Sequence, residues 1–139
     1  MSIHTTFENI RFTDEVAEMF ATIIFNDEWT RTVFLYIMKK LHEENQNFKG
    51  VTINDITQNV KIERPVRVGK GKKYHFEIRR ENIERNAASK IVDKLYAMSL
   101  LYYEPLTPYK LYFPTTRAAQ VLLKLIELTK NEKGDGTNG

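Results

Sequence analysis

The stretch NIERNAASKIVDKLYAMSLLYYEPLTPYKLYF, residues 82–113, decides the fold expected for this chain. Apolar side chains recur at helical spacing over residues 82–98, which predicts an amphipathic helix with a polar opposite face. Two short runs at residues 101–104 and 110–113 flank a turn with two prolines and predict a pair of antiparallel strands. The centre of the chain is therefore a helix that leads directly into a β-hairpin.

The same periodicity predicts helices on both sides of this centre. Helical patterns cover residues 14–25, 27–44 and 117–130. Thr13 is predicted to cap the first helix, Asn26 the second, and Thr52 or Asn54 a further short helix in the middle of the chain.

Length and composition indicate one globular domain. Hydrophobic residues make up 42% of the 139 positions, which is enough to bury a core, and no apolar run is long enough to span a membrane. The expected domain covers residues 1–130 and is mainly α with a small β component (α+β), followed by a disordered polar tail at residues 131–139. The chain has no cysteine and no secretory signal pattern at its start, which fits a cytoplasmic protein.

Positive charge is concentrated in the middle of the chain. Residues 61–90 contain ten Lys and Arg against four Glu, whereas the whole chain carries a net charge of only +3. The rest of the chain is therefore mildly acidic. Such segregation is typical of a surface that binds a polyanion, although a solvated loop with clustered lysines gives the same count.

Much of this basic block lies in a second hairpin pattern at residues 63–80. Apolar and polar residues alternate on both sides of a Gly-Lys-Gly-Lys turn at residues 69–72, which predicts two antiparallel strands. Their apolar face is small, so we expect it to lie against the body of the protein or to become ordered on binding. The basic side chains that could contact phosphates are Arg67, Lys70, Lys72, Lys73, Arg79 and Arg80.

The order of these elements resembles the winged helix-turn-helix regulators of the MarR and PadR type. Residues 51–56 are similar to the entry of the first helix of the motif, and residues 89–101 to the end of a recognition helix that runs into the first wing strand. Residues 112–119 resemble the point where the second wing strand meets a capped C-terminal helix. The resemblance implies a winged-helix fold, binding of double-stranded DNA, transcription regulation and action as a homodimer.

Three features depart from that family pattern. Ser99 stands where a glycine usually ends the recognition helix, a position that favours φ > 0. The wing loop contains no Lys or Arg before Lys110. Residues 63–80 separate the two helices of the motif, where a turn of roughly three or four residues is normal. We therefore expect a winged helix-turn-helix with flanking helices and an inserted basic β-hairpin.

The polar face of the helix at residues 82–98 holds the side chains that would read DNA sequence. In a helix-turn-helix the second helix lies in the major groove, where arginine binds guanine and asparagine binds adenine through paired hydrogen bonds. The hairpin would bind phosphates, and Lys110 would contact the DNA backbone from the wing. The alternatives are a solvated helix surface and a hairpin that only links two helices. The predicted recognition-helix residues are Asn82, Arg85, Asn86, Ser89 and Lys90.

Enzymatic chemistry has little support in the sequence. His4, His42 and His75 lie in three different elements without metal-ligand spacing. No nucleophile elbow or compact carboxylate pair is visible, and the glycines at residues 69 and 71 lack the rest of a phosphate-binding loop pattern. We therefore predict a protein that is not an enzyme and needs no cofactor or metal.

The flanking helices carry more apolar side chains than a small winged domain needs. These side chains could bury a homodimer surface or complete the intrachain core. An alternative class is a winged-helix module for protein–protein assembly in a replication, segregation or transcription complex, and a small-ligand sensor in the dimer crevice also stays open. The side chains concerned are Met19, Phe20, Ile23, Ile24, Phe25, Leu122, Leu123, Leu125 and Ile126.

Overall fold

The computed structural model describes residues 6–138, with side chains described for residues 6–132, and it is mixed α and β. Within these residues the chain forms five α-helices and two antiparallel β-hairpins, in the order that the sequence predicts. The elements are α1 (Asp14–Phe25), α2 (Glu28–Glu44), α3 (Ile53–Asn59), β1 (Lys61–Lys70), β2 (Lys73–Asn82), α4 (Arg85–Ala97), β3 (Leu101–Leu106), β4 (Tyr109–Pro114) and α5 (Thr116–Asn138).

Polar side chains determine where α1 and α3 begin. The Thr13 hydroxyl accepts a hydrogen bond from an amide of the first turn of α1 (3.2 Å). At α3, Thr52 and Asp55 form a reciprocal capping box in which each side chain accepts from the other residue's amide at 3.0 Å. Such caps satisfy amides that have no partner inside the helix. The predicted cap Thr13 is confirmed, and of the two candidates Thr52 and Asn54 the structure has Thr52. The prediction of Asn26 as the cap of α2 is wrong, because Asp27 takes that position and accepts from the Thr30 amide.

One hydrophobic core joins all five helices and the second hairpin. Helix α1 packs along α5, and α3 packs against α4. Full burial of a large aliphatic or aromatic side chain contributes about 1.5–3 kcal/mol, so the core dominates the stability of the fold. The largest fully buried side chains include Ile24, Phe34, Ile37, Ile56, Ile83, Leu95, Leu100 and Leu125.

The apolar residues of α1 and α5 divide between the core and the surface. Ile24 and Leu125 are fully buried inside the chain and therefore belong to the core rather than to a dimer surface. The intermediate group, Phe20, Phe25 and Leu122, is partly buried against the core. The exposed group consists of Met19, Ile23, Leu123 and Ile126.

The second hairpin is longer than the alternating sequence pattern indicates. Its pairs run from Leu101 opposite Pro114 to Leu106 opposite Tyr109. Val51, from the loop before α3, exchanges both backbone hydrogen bonds with Tyr112 at 2.8 and 2.9 Å and so lies beside β4. This contact fixes the hairpin against the start of α3.

The first hairpin also extends beyond its predicted bounds of 63–80. Its ladder begins with Lys61 opposite Asn82 and ends with Lys70 opposite Lys73. Backbone hydrogen bonds pair the two strands as far as the base of the hairpin, although the alternation of apolar and polar side chains ends before that point.

A buried arginine holds the end of α4 to the N-terminal segment. Ser99 has φ 65°, and the amides of Ser99 and Leu100 bond back to Tyr96 and Leu95 at 3.0 Å in a Schellman arrangement. Ser99 therefore adopts the positive φ that the glycine of the family pattern would have, although serine is less suited to it than glycine. Arg117, only 4% exposed, donates to the Ser99 carbonyl and hydroxyl at 3.2 and 3.0 Å. Burial lowers the pKa of Arg117.

The same guanidinium reaches the segment before α1. It donates to the carbonyls of Phe7 and Ile10 at 2.9 and 2.7 Å. Gln120 adds a second tether, because its side chain amide exchanges two hydrogen bonds of 2.9 Å with the backbone of Phe12. The N-terminal segment, α4 and α5 are therefore joined at one point.

The sequence predicts a disordered tail from residue 131, but the last helix continues beyond that residue. Its backbone is helical to Asn138, although glycines at residues 134 and 136 have low helix propensity. Extending an existing helix adds one hydrogen bond for each residue fixed, and the amino-acid composition of the tail does not indicate this gain. Residue 139 and the side chains of residues 133–138 lie outside the described part.

Asp27 links α2 to α4. Its carboxylate accepts hydrogen bonds from the Thr30 hydroxyl and from Lys94 Nζ, both at 2.9 Å. Burial alone would raise the pKa of Asp27, but the hydrogen bonds from Lys94 and Thr30 outweigh it and hold the pKa below its ordinary value. The carboxylate therefore stabilises the fold above about pH 4, and this contribution is lost as the pH falls through the lowered pKa.

We expect Asp27→Asn to lower the free energy of unfolding at pH 7 by about 0.5–1 kcal/mol. Asparagine keeps the helix cap and removes the charge that holds Lys94. Urea denaturation at pH 7 and pH 3 measures the effect, and the difference from the wild type should shrink at pH 3. An equal difference at both pH values would contradict the ionic role of Asp27.

Candidate nucleic-acid interface

The N-terminal half of α4 presents the polar face that the sequence predicts. Arg85, Asn86 and Lys90 are exposed and Ser89 is half-buried, while Ala88, Ile91, Val92 and Leu95 on the opposite side are buried. Within the described residues, neither Arg85 nor Lys90 makes an ion pair. Both cations are therefore available to an external anion.

Asn82 does not belong to this helix. It is the last residue of β2 and pairs with Lys61 across the hairpin. Its side-chain amide donates to the Thr57 carbonyl at 2.9 Å and so closes the end of α3. The helix starts later because Ile83 is buried and its amide bonds to Val60, which keeps the backbone extended. The prediction of Asn82 as a recognition-helix residue is wrong.

The base of the first hairpin is fixed to the start of α4 by an ion pair. Arg64 of β1 lies 2.8 Å from Glu84, the N-cap of α4, and 3.4 Å from Glu81. The hydrogen bond to Glu84 and the two negative charges raise the pKa of Arg64. This contact is not visible in the sequence, since its partners are 20 residues apart in the chain and no local spacing indicates them.

The first hairpin and the polar face of α4 are neighbours in the chain as well as in space. Asn82 ends β2 and Arg85 begins α4, a separation that extended backbone covers in about 10 Å. Ile62 and Ile83 are both buried beneath this junction. The hairpin therefore projects from the end of α4 that carries Arg85 and Asn86.

The register places the apolar residues of the two strands on opposite faces of the hairpin. Directly paired residues share a face, and the pairs join odd-numbered positions of β1 to even-numbered positions of β2. The valines at residues 66 and 68 therefore face away from the aromatic residues of β2. The expectation of one small apolar face is wrong. One side, here called the aromatic face, consists of Pro65, Arg67, Tyr74, Phe76 and Ile78.

The turn of this hairpin carries a cluster of lysines that form no ion pair with the described residues. Lys70 lies directly opposite Lys73, and Lys72 lies in the two-residue loop between them. All three are exposed, and no carboxylate of the described residues pairs with them. Like charges in directly opposed positions destabilise a hairpin by about 0.2–1 kcal/mol. We call Lys70, Lys72 and Lys73 the lysine cluster.

The glycines of the turn allow this tight geometry. Gly69 has φ 110° and Gly71 has φ 62°, backbone angles that residues other than glycine rarely adopt. A Cβ atom on Gly69 would collide with the carbonyl oxygen of Lys73.

The predicted arginines of the hairpin differ in their contacts. Arg67 lies over the Tyr74 ring at 4.0 Å and donates to the Gly71 carbonyl at 3.3 Å. Arg79 lies 3.5 Å from Glu77. Arg80 is exposed and forms no ion pair within the described part of the chain. Arg80 and the lysine cluster are therefore the hairpin cations most available for phosphate.

Lys110 lies on the second hairpin, apart from the lysine cluster in the chain. It is exposed, and its ammonium group is 4.7 Å from the centre of the Tyr103 ring. The nearby tyrosines mainly pack: Tyr102 stacks on Phe113 at 5.2 Å, and burial raises the pKa of Tyr112. Lys110 is therefore the one predicted wing residue that keeps an exposed charge.

The described residues contain no cluster of three His, Asp or Glu side chains that could hold a metal ion. His42 lies on α2 and His75 on β2, and His4 lies outside the described residues. No helix in the part that the structure describes is long and apolar enough to cross a membrane.

The chain matches no protein-family model, no curated protein sequence and no solved structure. An interpretation of its function therefore depends on its own residues.

Proposed function

We propose that this protein is a cytoplasmic, sequence-specific regulator of transcription that binds double-stranded DNA through a winged helix-turn-helix and acts as a homodimer. The order α2, α3, α4 and the β3–β4 hairpin supports this proposal. So does the contact of α3 with α4, together with the bridge from Val51 to Tyr112 beside the hairpin. In this scheme α4 is the recognition helix and β3–β4 is the wing.

The observation that carries the proposal is a set of cations, without carboxylate partners among the described residues, that runs from the start of α4 to the far end of the adjoining hairpin. Arg85 and Lys90 lie on α4, and Arg80 and the lysine cluster lie on the adjoining hairpin. Cations without internal carboxylate partners bind phosphates and release the counterions condensed on DNA. Arg85 and Asn86, in the first turn of α4, have the donors that read guanine and adenine in the major groove.

The exposed apolar group on α1 and α5 supports the homodimer. Met19, Ile23, Leu123 and Ile126 remain 40–65% exposed on two helices that pack together. Met19 and Ile23 are one turn apart on α1, and Leu123 and Ile126 are one turn apart on α5, so each helix exposes an apolar group of the kind that marks an interaction surface. A dimer would place two recognition helices on half-sites one helical turn of DNA apart.

A second candidate is a winged-helix module for protein–protein assembly. The aromatic face favours it, because Phe76 and Ile78 are more than half exposed. Aromatic side chains are common anchors of protein interfaces.

The test of the proposed function is selection of bound fragments from random duplex DNA. We expect the selected fragments to share a two-fold repeat with half-sites about 10 base pairs apart. On the selected duplex, Arg85→Ala should weaken binding by roughly 5- to 150-fold, equivalent to about 1–3 kcal/mol, and relax the preference at one base pair.

Arg11→Ala is the matched control for Arg85→Ala. Arg11 is exposed and directly follows Ile10. Arg117 donates to the carbonyls of both Ile10 and Ser99, and Ser99 follows the C-terminal end of α4, so Arg11 lies near the end of α4 opposite to Arg85. Equal affinity of the wild type and Arg85→Ala, or no enriched sequence in the selection, would contradict the proposed function and favour the assembly module.

A further inference from the structure

The aromatic face of the first hairpin exposes a continuous row of apolar side chains. Tyr74, Phe76 and Ile78 alternate along β2 on one side and are 47%, 63% and 67% exposed. Pro65 lies directly opposite Ile78 and extends the apolar row onto β1. The rings of Tyr74 and Phe76 meet edge to face at 5.8 Å, which holds both in place.

Within residues 6–132, no other part of the chain covers this row. All three side chains of β2 remain exposed within the described structure, and the valines that could have packed beside them face the other way. Exposed apolar side chains grouped on one face mark a binding surface rather than an incidental feature.

Charge decides which partner the row fits. Arg67 lies opposite Phe76 on this face and over the Tyr74 ring. Toward the base of the hairpin the same face carries Lys61 and Arg80, with Glu63 directly opposite Arg80, so the charge beside the apolar row is net positive. A second copy of this face would place these arginines against each other, which disfavours self-association. A partner with negative charge beside flat apolar surfaces is complementary, and base-paired DNA has both.

The dimensions of the hairpin also fit DNA. Strands of ten residues extend about 33 Å, close to one helical turn of B-DNA. The hairpin starts at the N-terminal end of α4, so it can reach the groove next to the site of that helix. Proteins that bend DNA insert Phe, Ile or Pro side chains between base pairs from the minor groove, beside arginines that contact the backbone.

We propose that the first hairpin lies in the minor groove beside the α4 site and that Phe76 and Ile78 insert between base pairs, which bends the DNA. This inference rests on the proposed function and adds DNA deformation to it. Unstacking a base step costs a few kcal/mol, so the affinity of the hairpin should depend on how easily the flanking sequence unstacks. Flexible TA or CA/TG steps beside the α4 site would then be favoured.

The test is energy transfer between dyes at the two ends of the selected duplex, measured with the wild type and with the double variant Phe76→Ala/Ile78→Ala. We expect the wild type to raise the transfer efficiency and the double variant to leave it at the value of free DNA. The double variant should bind the duplex about tenfold more weakly but with unchanged sequence preference, since Arg85 is intact. His75→Ala, on the opposite face of the same strand, is the control and should bend DNA like the wild type.

The possible outcomes separate this inference from the proposed function. Equal bending by the wild type and the double variant, or binding without any bending, would overturn the insertion and leave the aromatic face to a protein partner. The proposed function would stand in either case, because it depends on sequence-selective binding. Both side chains are exposed, so the double variant should keep the melting temperature of the wild type, measured by circular dichroism.

Discussion

Replacement of Lys70, Lys72 and Lys73 by alanine is expected to weaken binding of duplex DNA about a hundredfold at physiological salt. Each phosphate contact that is lost lowers the slope of log affinity against log salt by about 0.9, so the slope should fall by roughly 2.7. Titration of a labelled duplex at several salt concentrations measures both quantities. Sequence preference should not change, because phosphate contacts carry no base information.

The same triple variant should make the free protein slightly more stable. Lys70 and Lys73 repel each other across the hairpin, and their removal relieves about 0.2–1 kcal/mol. An opposite effect on binding and on stability is the signature of a surface retained for a ligand. Lys39→Ala/Lys40→Ala on α2 is the control, because these exposed or partly exposed lysines pair with Glu43 and Glu44. A triple variant with unchanged affinity and salt slope would contradict a role of the hairpin in phosphate binding.

Replacement of Arg117 by methionine is expected to lower the free energy of unfolding by about 3 kcal/mol and the melting temperature by about 10 °C. The side chain is almost fully buried, and its loss leaves the carbonyls of Phe7, Ile10 and Ser99 without this donor. Calorimetry measures the melting temperature. Hydrogen exchange should also rise in the segment before α1, since its main tether is gone.

Gln120→Ala is the matched control for Arg117→Met. It removes only the tether to Phe12 and should cost about 1 kcal/mol. A melting temperature of Arg117→Met equal to that of the wild type would mean that the N-terminal segment does not depend on the guanidinium.

The helices and the second hairpin were predictable because their signals are local. The caps at Thr13 and Thr52 and the apolar periodicity of α4 depend on residues within one or two turns. Ser99 departs from the glycine of the family pattern, yet it has a positive φ and ends α4 as that glycine would.

The features that the sequence could not supply depend on register or on distant contacts. Asn82 has a polar side chain suited to a recognition helix, but the ladder of the first hairpin continues to it and places it on β2. The aromatic face follows from the pairing of odd with even positions, which a shift of one residue would reverse. The partners of Arg64 and Arg117 lie many residues away in the chain, so no local sequence spacing indicates these contacts.

Photo-crosslinking from two positions of the protein tests the central claim most directly. A photoreactive amino acid at position 86 probes the polar face of α4, and one at position 72 probes the lysine cluster. Both are expected to crosslink to the same selected duplex, the first to bases in the major groove and the second to the flanking DNA. Crosslinks from position 72 alone, or from neither position, would contradict a shared DNA-binding surface formed by α4 and the first hairpin.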